Sequence, residues 1–200
     1  MTFFSFEVPL VLASSSTYRA QALTRLGLEF TQVSPGIDES AAPGEPPKIL
    51  AQRLAREKTS AIRSQRPDAI IIGSDQVGVA QGRQLQKPGS HKAAIAQLQH
   101  LSGAEAVFHT GLAVFDPTNA EIHEAVTTTR IKFRCLTDDQ IRRYVEIDQP
   151  VDCAGSFKVE ALGIALFEKV ASDDPTALVG IPMIALVSIL HRLSASEMSR

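Results

Sequence analysis

A run of hydroxyl side chains followed by an arginine is the part of this sequence best suited to bind an anion. Residues 14–19, Ser-Ser-Ser-Thr-Tyr-Arg, follow an apolar run that ends at Ala13. At a strand-to-helix corner of this kind, backbone N–H groups, hydroxyls and a guanidinium meet at a helix N-terminus, where phosphate groups bind well. Ser14, Ser16 and Arg19 are therefore candidate phosphate ligands. The simpler interpretation is an ordinary serine N-cap, and this segment alone does not decide between the two.

A carboxylate follows a second apolar run. Asp75 comes shortly after Ala69-Ile70-Ile71-Ile72 and Gly73. We expect the strand to end there, which would place Asp75 at the carboxyl edge of a sheet, where α/β proteins bind ligands. Val77 takes the place of the second aspartate of the phosphatase pattern, so a covalent aspartyl-phosphate is disfavoured. A phosphate site beside an isolated acid suggests phosphoanhydride chemistry, and the alternative is that Asp75 only caps a turn.

Three more charged residues could complete such a site. Glu39, in the loop after the second predicted strand, could share a divalent cation with Asp75, because Mg²⁺ takes one or two carboxylates plus substrate phosphates. Lys58 and Lys87 could each bring an ammonium to a phosphate, and Pro88 favours extended backbone at Lys87. For Glu39 and Lys58 the simpler interpretation is a solvated side chain. We expect Lys58 to lie off the apolar face of its helix.

Apolar periodicity and turn residues predict the elements that must position these side chains. We predict strands at 8–13, 29–34, 69–72, 106–115, 122–133 and 164–170, helices at 17–26, 47–63, 91–101, 137–147 and from 182 onward, and a polar excursion at 78–90. Alternating strands and helices followed by a hairpin indicate the α/β class, with a mixed, twisted sheet flanked by helices. We find no repeat or linker, so we expect residues 1–200 to form one domain with two lobes around a cleft.

The composition excludes several classes of protein. The chain has 200 residues and a net charge of −2, which argues against non-specific binding to nucleic acid. No apolar run approaches the ~20 residues that a membrane helix needs. Residues 1–7 lack the basic region and long apolar core of a signal peptide. Cys135 and Cys153 form no CxxC pattern, so we expect reduced thiols and a soluble, cytoplasmic protein that binds neither nucleic acid nor membranes.

Taken together, these segments resemble the Maf family of nucleoside triphosphate pyrophosphatases, in the right order over nearly the whole chain. The matching segments are Leu12-Ala13-Ser14-Ser15-Ser16-x-x-Arg19, Leu26-Gly27, Asp38-Glu39, Glu57-Lys58, Gly73-Ser74-Asp75, Lys87-Pro88, Leu101-Ser102-Gly103, Thr110-Gly111, Cys153-Ala154-Gly155-Ser156-Phe157-Lys158 and Val179-Gly180-Ile181-Pro182. The resemblance implies a Maf/ITPase-like fold around a nucleotide cleft, a nucleoside triphosphate substrate and a homodimer.

We expect hydrolysis between the α and β phosphates, releasing a nucleoside monophosphate and pyrophosphate. The resemblance assigns Asp75 as the proton acceptor for the attacking water. We expect a divalent cation, Mg²⁺ or Mn²⁺, as cofactor. The triphosphate would be held by Ser14, Ser16, Arg19, Lys58 and Lys87, and the metal by Glu39 and Asp75.

The chain is most similar to the family branch that acts on 7-methyl-GTP. Tyr18 stands where that branch has tryptophan, Gln76 follows the aspartate, and Glu160 follows residues 156–159; Thr17 replaces the family's proline. N7-methylation gives guanine a positive charge, and an aromatic face attracts a cation by about 0.5–2 kcal/mol. The Glu160 carboxylate can accept the N1–H and exocyclic N–H groups of guanine, and the Gln76 amide can donate or accept.

A pyrimidine would leave Glu160 as a buried, unpaired acid, at a cost of roughly 1–3 kcal/mol. We therefore expect Tyr18, Gln76 and Glu160 to meet in one pocket. The implied purpose is removal of modified nucleotides before they enter nucleic acid. Two alternatives stay open: a Maf-type pyrophosphatase for dTTP, UTP or another modified nucleotide, and a nucleotide-sensing regulator, linked to cell division, that binds without hydrolysis.

Overall fold

A mixed sheet forms the centre of the structure, a computed structural model that describes residue 4 and residues 6–197. Part of the N-terminal segment 1–7, for which no signal peptide was predicted, therefore lies outside the described residues. The strands are β1 (Leu10–Ala13), β2 (Thr31–Val33), β3 (Ile70–Ala80), β4 (Arg83–Leu85), β5 (Glu105–Asp116), β6 (Glu121–Phe133) and β7 (Phe167–Ala171). The helices are α1 (Thr17–Thr24), α2 (Pro47–Arg63), α3 (His91–Leu101), α4 (Asp138–Asp148) and α5 (Met183–Glu197), with 3-10 helices at Leu162–Leu166 and Pro175–Val179.

The strand order is β2-β1-β3-β5-β6-β7, with β4 added to the end of β3. The first three strands are parallel to one another, and β5, β6 and β7 pair antiparallel along the other side. This arrangement confirms the predicted α/β class with a mixed sheet and flanking helices. The organisation of residues 1–200 as one domain stays a prediction.

Two groups of buried side chains pack at opposite ends of the long pair β3 and β5. One group contains Ile72 and Leu112 together with side chains of α1 and α5. The other contains Ala80 and Phe108 together with side chains of α3 and α4. The two lobes thus share the same two strands, and Asp75 lies on β3 between them.

Helix α2 packs directly on the backbone of β3 and β5. A Cβ atom added at Gly73 would lie 2.5 Å from the carbonyl oxygen of Ala55, and one added at Gly111 would overlap the carbonyl of Ala51. Only glycine permits so close an approach of helix and sheet. As a result, Lys58 on α2 is brought against the middle of β3.

Strand β3 corrects one prediction. It does not end at Gly73 but continues to Ala80, so the predicted polar excursion at 78–90 contains the end of β3 and all of β4. The physical reason is unbroken cross-strand pairing with β5, from Ile71 opposite Phe115 onward. Tertiary pairing of this kind overrides the low strand propensity of polar residues.

Other boundaries agree closely with the sequence. The helices at 47–63 and 91–101 have their predicted bounds, and Thr137 forms the expected capping box of α4 with Gln140. The strand predicted at 164–170 begins only at Phe167, because a 3-10 helix precedes it.

Cys135 and Cys153 are both free thiols. Within residues 6–197, no helix has the length and apolarity needed to cross a membrane.

Candidate functional site

A cavity of about 890 Å³ opens where β1 ends and β3 continues. This volume lies within the ~300–1,000 Å³ range of small-molecule sites. Every residue proposed from the sequence lines it: Ser14, Ser16, Tyr18, Arg19, Glu39, Lys58, Asp75, Gln76, Lys87 and Glu160. The structure therefore brings together segments that lie far apart in the chain.

The first corner of the cavity is formed by the start of α1. Ser16 is the N-cap, and its hydroxyl accepts a 3.4 Å hydrogen bond from the backbone N–H of Arg19. Its own backbone N–H donates to Oγ of Ser14 over 3.1 Å. The N-cap interpretation of Ser16 is thus right. The anion-binding interpretation is compatible with it, because the same corner lines the cavity at a helix N-terminus.

The Arg19 guanidinium is fixed by two hydrogen bonds. Nε donates to the carbonyl oxygen of Gly180 over 2.8 Å, and Nη1 donates to Oγ of Ser14 over 3.2 Å. These bonds use two of its five N–H donors. Burial lowers the pKa of Arg19, and the nearby carboxylates of Asp75 and Glu39 act in the opposite direction. A desolvated, oriented guanidinium is well suited to bind phosphate oxygens.

Lys58 joins the two carboxylates of the cavity. Its Nζ lies 2.5 Å from Oδ1 of Asp75 and 2.7 Å from Oε1 of Glu39. Lys58 and Asp75 are buried, with 4% and 6% exposure, whereas the side chain of Glu39 is 58% exposed. The expectation that Lys58 lies off the apolar face of its helix is wrong, because it is buried one turn from both Leu54 and Ile62.

The oxygen donors of Asp75 and Glu39 fit a divalent cation. Both carboxylates already converge on one positive charge, the ammonium of Lys58. Carboxylate oxygens are the ligands that Mg²⁺ and Mn²⁺ prefer. Among the residues described, no group of three or more His, Cys, Asp or Glu side chains is placed to hold a metal. The donor set is therefore of the kind that shares a cation with substrate phosphates.

Asp75 reaches the cavity from the middle of a strand rather than from its end. It pairs with Gly111 of β5, so the expectation of a strand-end position is wrong. The neighbouring strand β1 stops at Ala13, one residue after Leu12 pairs with Ile72. The end of β1, and not of β3, therefore forms the edge at which Asp75 is accessible.

Alternation along β3 divides the site into two sides. Asp75 contacts Lys58 on the α2 side, where a Cβ at Gly73 would also contact α2. Ser74 lies on the opposite side, where its hydroxyl donates to the carbonyl oxygens of Gly111 and Gly180 over 2.6 and 2.9 Å. Side chains alternate across a strand, so consecutive residues of β3 face opposite sides of the sheet. Asp75 lies on the side that faces α2, and Ser74 lies on the side that faces Gly180, which we call the second side.

Gln76 is held on the second side by its amide nitrogen. Nε2 donates to the carbonyl oxygens of Ala177 and Leu178 over 2.9 and 3.1 Å, and to Oγ1 of Thr110 over 3.2 Å. The two amide hydrogens therefore already have three acceptors. Gln76 was expected to donate to a base or to accept from one. Its amide nitrogen is already bonded within the protein, so only the accepting role, through Oε1, remains.

Tyr18 approaches the cavity from α1, and its hydroxyl donates to the carboxylate of Asp152 over 3.1 and 3.2 Å. Burial raises the pKa of Tyr18, and the neighbouring Cys153 and Asp152 raise it further, so the phenol stays protonated. The ammonium of Lys158 lies 5.9 Å from the centre of the Tyr18 ring.

Glu160 and Lys87 line the cavity from loops. Both are exposed, Glu160 in a turn that precedes the 3-10 helix Leu162–Leu166 and Lys87 in the loop after β4. The expectation that Glu160 is a buried acid is therefore wrong, because the residue lies in an exposed turn. Any desolvation of Glu160 must come from a bound ligand.

Sequence reasoning missed three contributors to the site. Asp152 binds Tyr18, Thr110 binds Gln76, and the carbonyl of Gly180 accepts from both Arg19 and Ser74. These contacts join positions that are 34 to 161 residues apart. Thr110 and Gly180 stand in segments that match the family, but no local pattern indicates which residues they contact.

Comparison with known proteins places the chain among well-described relatives. A family model described as Maf-like protein matches residues 9–193. The 7-methyl-GTP pyrophosphatase of Aromatoleum aromaticum is 49% identical over 182 residues, covering 91% of this chain and 94% of that protein. Those of Xanthomonas axonopodis pv. citri and Bordetella pertussis are 48% and 45% identical, covering 92% and 95% of this chain and 95% and 94% of their own lengths.

A solved structure of the Staphylococcus aureus Ham1 protein aligns with 62% of this chain and 71% of its own, at 16% identity and a TM-score of 0.45. This likeness is too remote to inform the site.

Proposed function

This chain belongs to the Maf family, as the sequence resemblance predicted, and from that premise we propose that it hydrolyses 7-methyl-GTP to 7-methyl-GMP and pyrophosphate. Relatives of that name are 45–49% identical to it over most of its length. The observation that carries the proposal is the meeting of Arg19, Lys58 and Asp75 in one cavity with Tyr18.

Asp75 takes the proton of the attacking water in this proposal. General bases must lie within hydrogen-bond reach of the proton that they remove, and the Asp75 carboxylate, although buried, lines the cavity in which the substrate would bind. Lys58 orients Asp75 by its 2.5 Å hydrogen bond. The water oxygen bonds to the α phosphorus, the bond from that phosphorus to the bridging oxygen breaks, and pyrophosphate leaves with the electron pair.

The triphosphate is held by the start of α1 and by two lysines. Ser14 and Arg19 are already bonded to each other, so this part of the site is ordered before substrate binds. Ser16 contributes the helix N-terminus. Lys58 and Lys87 supply positive charge where negative charge develops during the reaction.

A divalent cation, Mg²⁺ or Mn²⁺, would be held by Glu39 and Asp75 in this proposal. One oxygen of each carboxylate already contacts the Lys58 ammonium, so the ion would bind the second oxygen of each. When bound, such an ion neutralises phosphate oxygens and polarises the bond to be broken. Arg19 and Lys87, which line the same cavity, supply the remaining positive charge.

The base is recognised by Tyr18, Gln76 and Glu160. The Tyr18 ring attracts the cationic 7-methylguanine. Oε1 of Gln76 accepts an N–H of the base, since its amide nitrogen is already bonded to Ala177 and Leu178. Glu160 accepts the other N–H groups of the guanine edge, and the bound base covers its exposed carboxylate.

A substrate panel tests the proposal. Pyrophosphate release is measured from 7-methyl-GTP, GTP, dTTP and UTP with Mg²⁺ and with Mn²⁺, and 7-methyl-GTP should be the best substrate. If it ranks among the poorest, the base assignment is wrong and a dTTP- or UTP-type enzyme is favoured. If single-turnover assays yield no pyrophosphate from any triphosphate, the protein is a nucleotide sensor.

Further parts of the sequence hypothesis remain proposals. We propose that the enzyme acts in the cytoplasm, clears modified nucleotides before they enter nucleic acid, and forms a homodimer without contacting nucleic acid or a membrane. The free thiols of Cys135 and Cys153 support a reducing compartment. Light scattering on the purified protein tests the homodimer.

A further inference from the structure

Asp152 meets Tyr18 across the cavity. We propose that Asp152 is a specificity-determining residue that holds the Tyr18 ring and adds the negative charge by which the site prefers cationic 7-methylguanine to guanine. The inference rests on the proposed function and deepens it.

The contact links the two lobes of the protein. The hydroxyl of Tyr18 donates to Oδ2 and Oδ1 of Asp152 over 3.1 and 3.2 Å, although the residues are 134 positions apart. Tyr18 lies on α1, whose buried Leu23 packs in the first lobe. Asp152 lies in the turn after α4, five residues before Phe157, which packs in the second lobe. The orientation of the Tyr18 ring therefore depends on Asp152.

Charge is concentrated on this side of the cavity. Asp152 and Glu160 supply two carboxylates, and both residues are exposed and line the cavity. The Lys158 ammonium lies 5.9 Å from the Tyr18 ring centre and offsets one of these two negative charges, so the negative charge that remains near the ring is lost when the Asp152 carboxylate is removed. Cys153 directs its thiol to Oδ1 of Asp152 over 3.5 Å. Asp152 is thus a carboxylate in direct contact with the phenol of the ring that would stack on the base.

Hydrogen bonding alone cannot separate the two bases. Guanine and 7-methylguanine present the same N1–H and exocyclic N–H groups, so Gln76 and Glu160 can bond to either. The bases differ by the methyl group and by the positive charge that it confers. An aromatic face and a nearby carboxylate both favour the charged base. The negative charge of Asp152 can therefore contribute to the discrimination between 7-methylguanine and guanine.

Nucleotide binding to the Asp152→Asn variant tests the proposal. Asparagine keeps an acceptor for the Tyr18 hydroxyl and removes the charge. The dissociation constants of 7-methyl-GMP and GMP are measured by calorimetry, because neither monophosphate can release pyrophosphate. We expect 7-methyl-GMP to bind about 3- to 10-fold more weakly, with GMP nearly unchanged and the loss reduced at high salt. Asp173→Asn, an exposed residue away from the cavity, is the matched control.

Three outcomes overturn the proposal. If Asp152→Asn keeps the wild-type preference for 7-methyl-GMP, the proposed function stands and the role of Asp152 is refuted. If both nucleotides weaken equally, Asp152 has only a structural role. If the wild-type protein itself shows no preference for 7-methyl-GMP, the base assignment of the proposed function fails and the role of Asp152 fails with it. The Tyr18→Phe variant, which keeps the ring, should lose less selectivity than Asp152→Asn.

Discussion

The ammonium of Lys58 donates a 2.5 Å hydrogen bond to Asp75 in the middle of β3, and both side chains are buried. The pair forms because α2 lies against the backbone of Gly73 and Gly111, where any side chain would collide with the helix. The exposed Glu39 is a third member of this group, because its carboxylate lies 2.7 Å from the same ammonium. Two carboxylates and one ammonium thus line the same cavity, and the packing of α2 on the sheet fixes the position of the ammonium between them.

Replacement of Asp75 by asparagine should remove catalysis and leave the fold intact. The amide keeps the shape of the side chain but cannot take a proton from water, so turnover should fall by about 10²- to 10⁴-fold. Pyrophosphate release at saturating substrate measures the loss, and thermal unfolding checks the fold. Asp139→Asn, whose side chain is 83% exposed on α4, is the control and should behave as wild type. Retained turnover in Asp75→Asn would remove Asp75 from the mechanism.

Replacement of Lys58 by methionine should destabilise the protein. It leaves the Asp75 carboxylate buried without its cation, and breaking a buried pair costs about 3–5 kcal/mol. The double variant Lys58→Met/Asp75→Asn should recover part of that loss, because no unpaired buried charge remains. Urea unfolding of the two single variants and the double variant gives the coupling free energy. Additive losses would contradict a direct interaction.

Alanine at Gly111 should disturb both packing and activity. Its methyl group would overlap the carbonyl of Ala51, so α2 must move away from β5, at a cost of about 1–3 kcal/mol. The same movement draws Lys58 away from Asp75. Unfolding measurements should show the lost stability, and kcat should fall although Gly111 is not a proposed ligand. Unchanged kcat in a destabilised variant would show that the position of α2 does not control the site.

Replacement of Gln76 by leucine should remove the hydrogen bonds that hold this side chain on the second side of the site. The carbonyl of Leu178 loses the donor supplied by Gln76, whereas that of Ala177 keeps the Thr110 hydroxyl, and a buried acceptor without a partner costs about 1–3 kcal/mol. We expect a loss of stability together with a raised KM for 7-methyl-GTP. Thr110→Val is a useful comparison, because it removes one contact of the Gln76 amide and keeps the other two. An unchanged KM in Gln76→Leu would contradict a role in base recognition.

Glu45 should make the stability of the protein sensitive to acid. The Arg53 guanidinium, and next the backbone N–H of Ala42, lower the pKa of Glu45 from 4.5 to about 2. A lowered folded-state pKa means that the contribution is fully present above about pH 4.5 and is lost as the pH falls toward about 2. Wild type should therefore exceed Glu45→Gln in stability near neutral pH, and the difference should vanish on acidification. Urea unfolding from about pH 6 to about pH 2 measures this course.

Arg53→Gln provides the control for that experiment, since it removes the partner that lowers the pKa of Glu45. The part of its difference from wild type that comes from Glu45 should follow the same pH course, and the loss of its contacts with Glu57 and Ser40 adds to it. Arg53 also donates to the carbonyl of Ser40 over 2.9 Å, next to Glu39. A difference between wild type and Glu45→Gln that persists at low pH would show that Glu45 contributes through packing and not through its charge.

Much of the site could be predicted from the sequence because its chemistry resides in residue types at local spacings. The hydroxyl run before Arg19, the isolated Asp75 and the helix at 47–63 were all recognisable from caps, apolar periodicity and turn residues. These signals depend on neighbours within a few positions, which a sequence displays directly. The α/β class followed from the alternation of such elements.

Tertiary structure alone decided how those residues act. Pairing with β5 carried β3 past Asp75, and the close approach of α2 turned Lys58 into the partner of Asp75 and Glu39. Carbonyl groups of the 3-10 helix Pro175–Val179 accept hydrogen bonds from the amide nitrogen of Gln76, and the turn after α4 places Asp152 in contact with Tyr18. These contacts join distant positions through strand pairing and backbone shape, and such relationships arise only when the whole chain has folded.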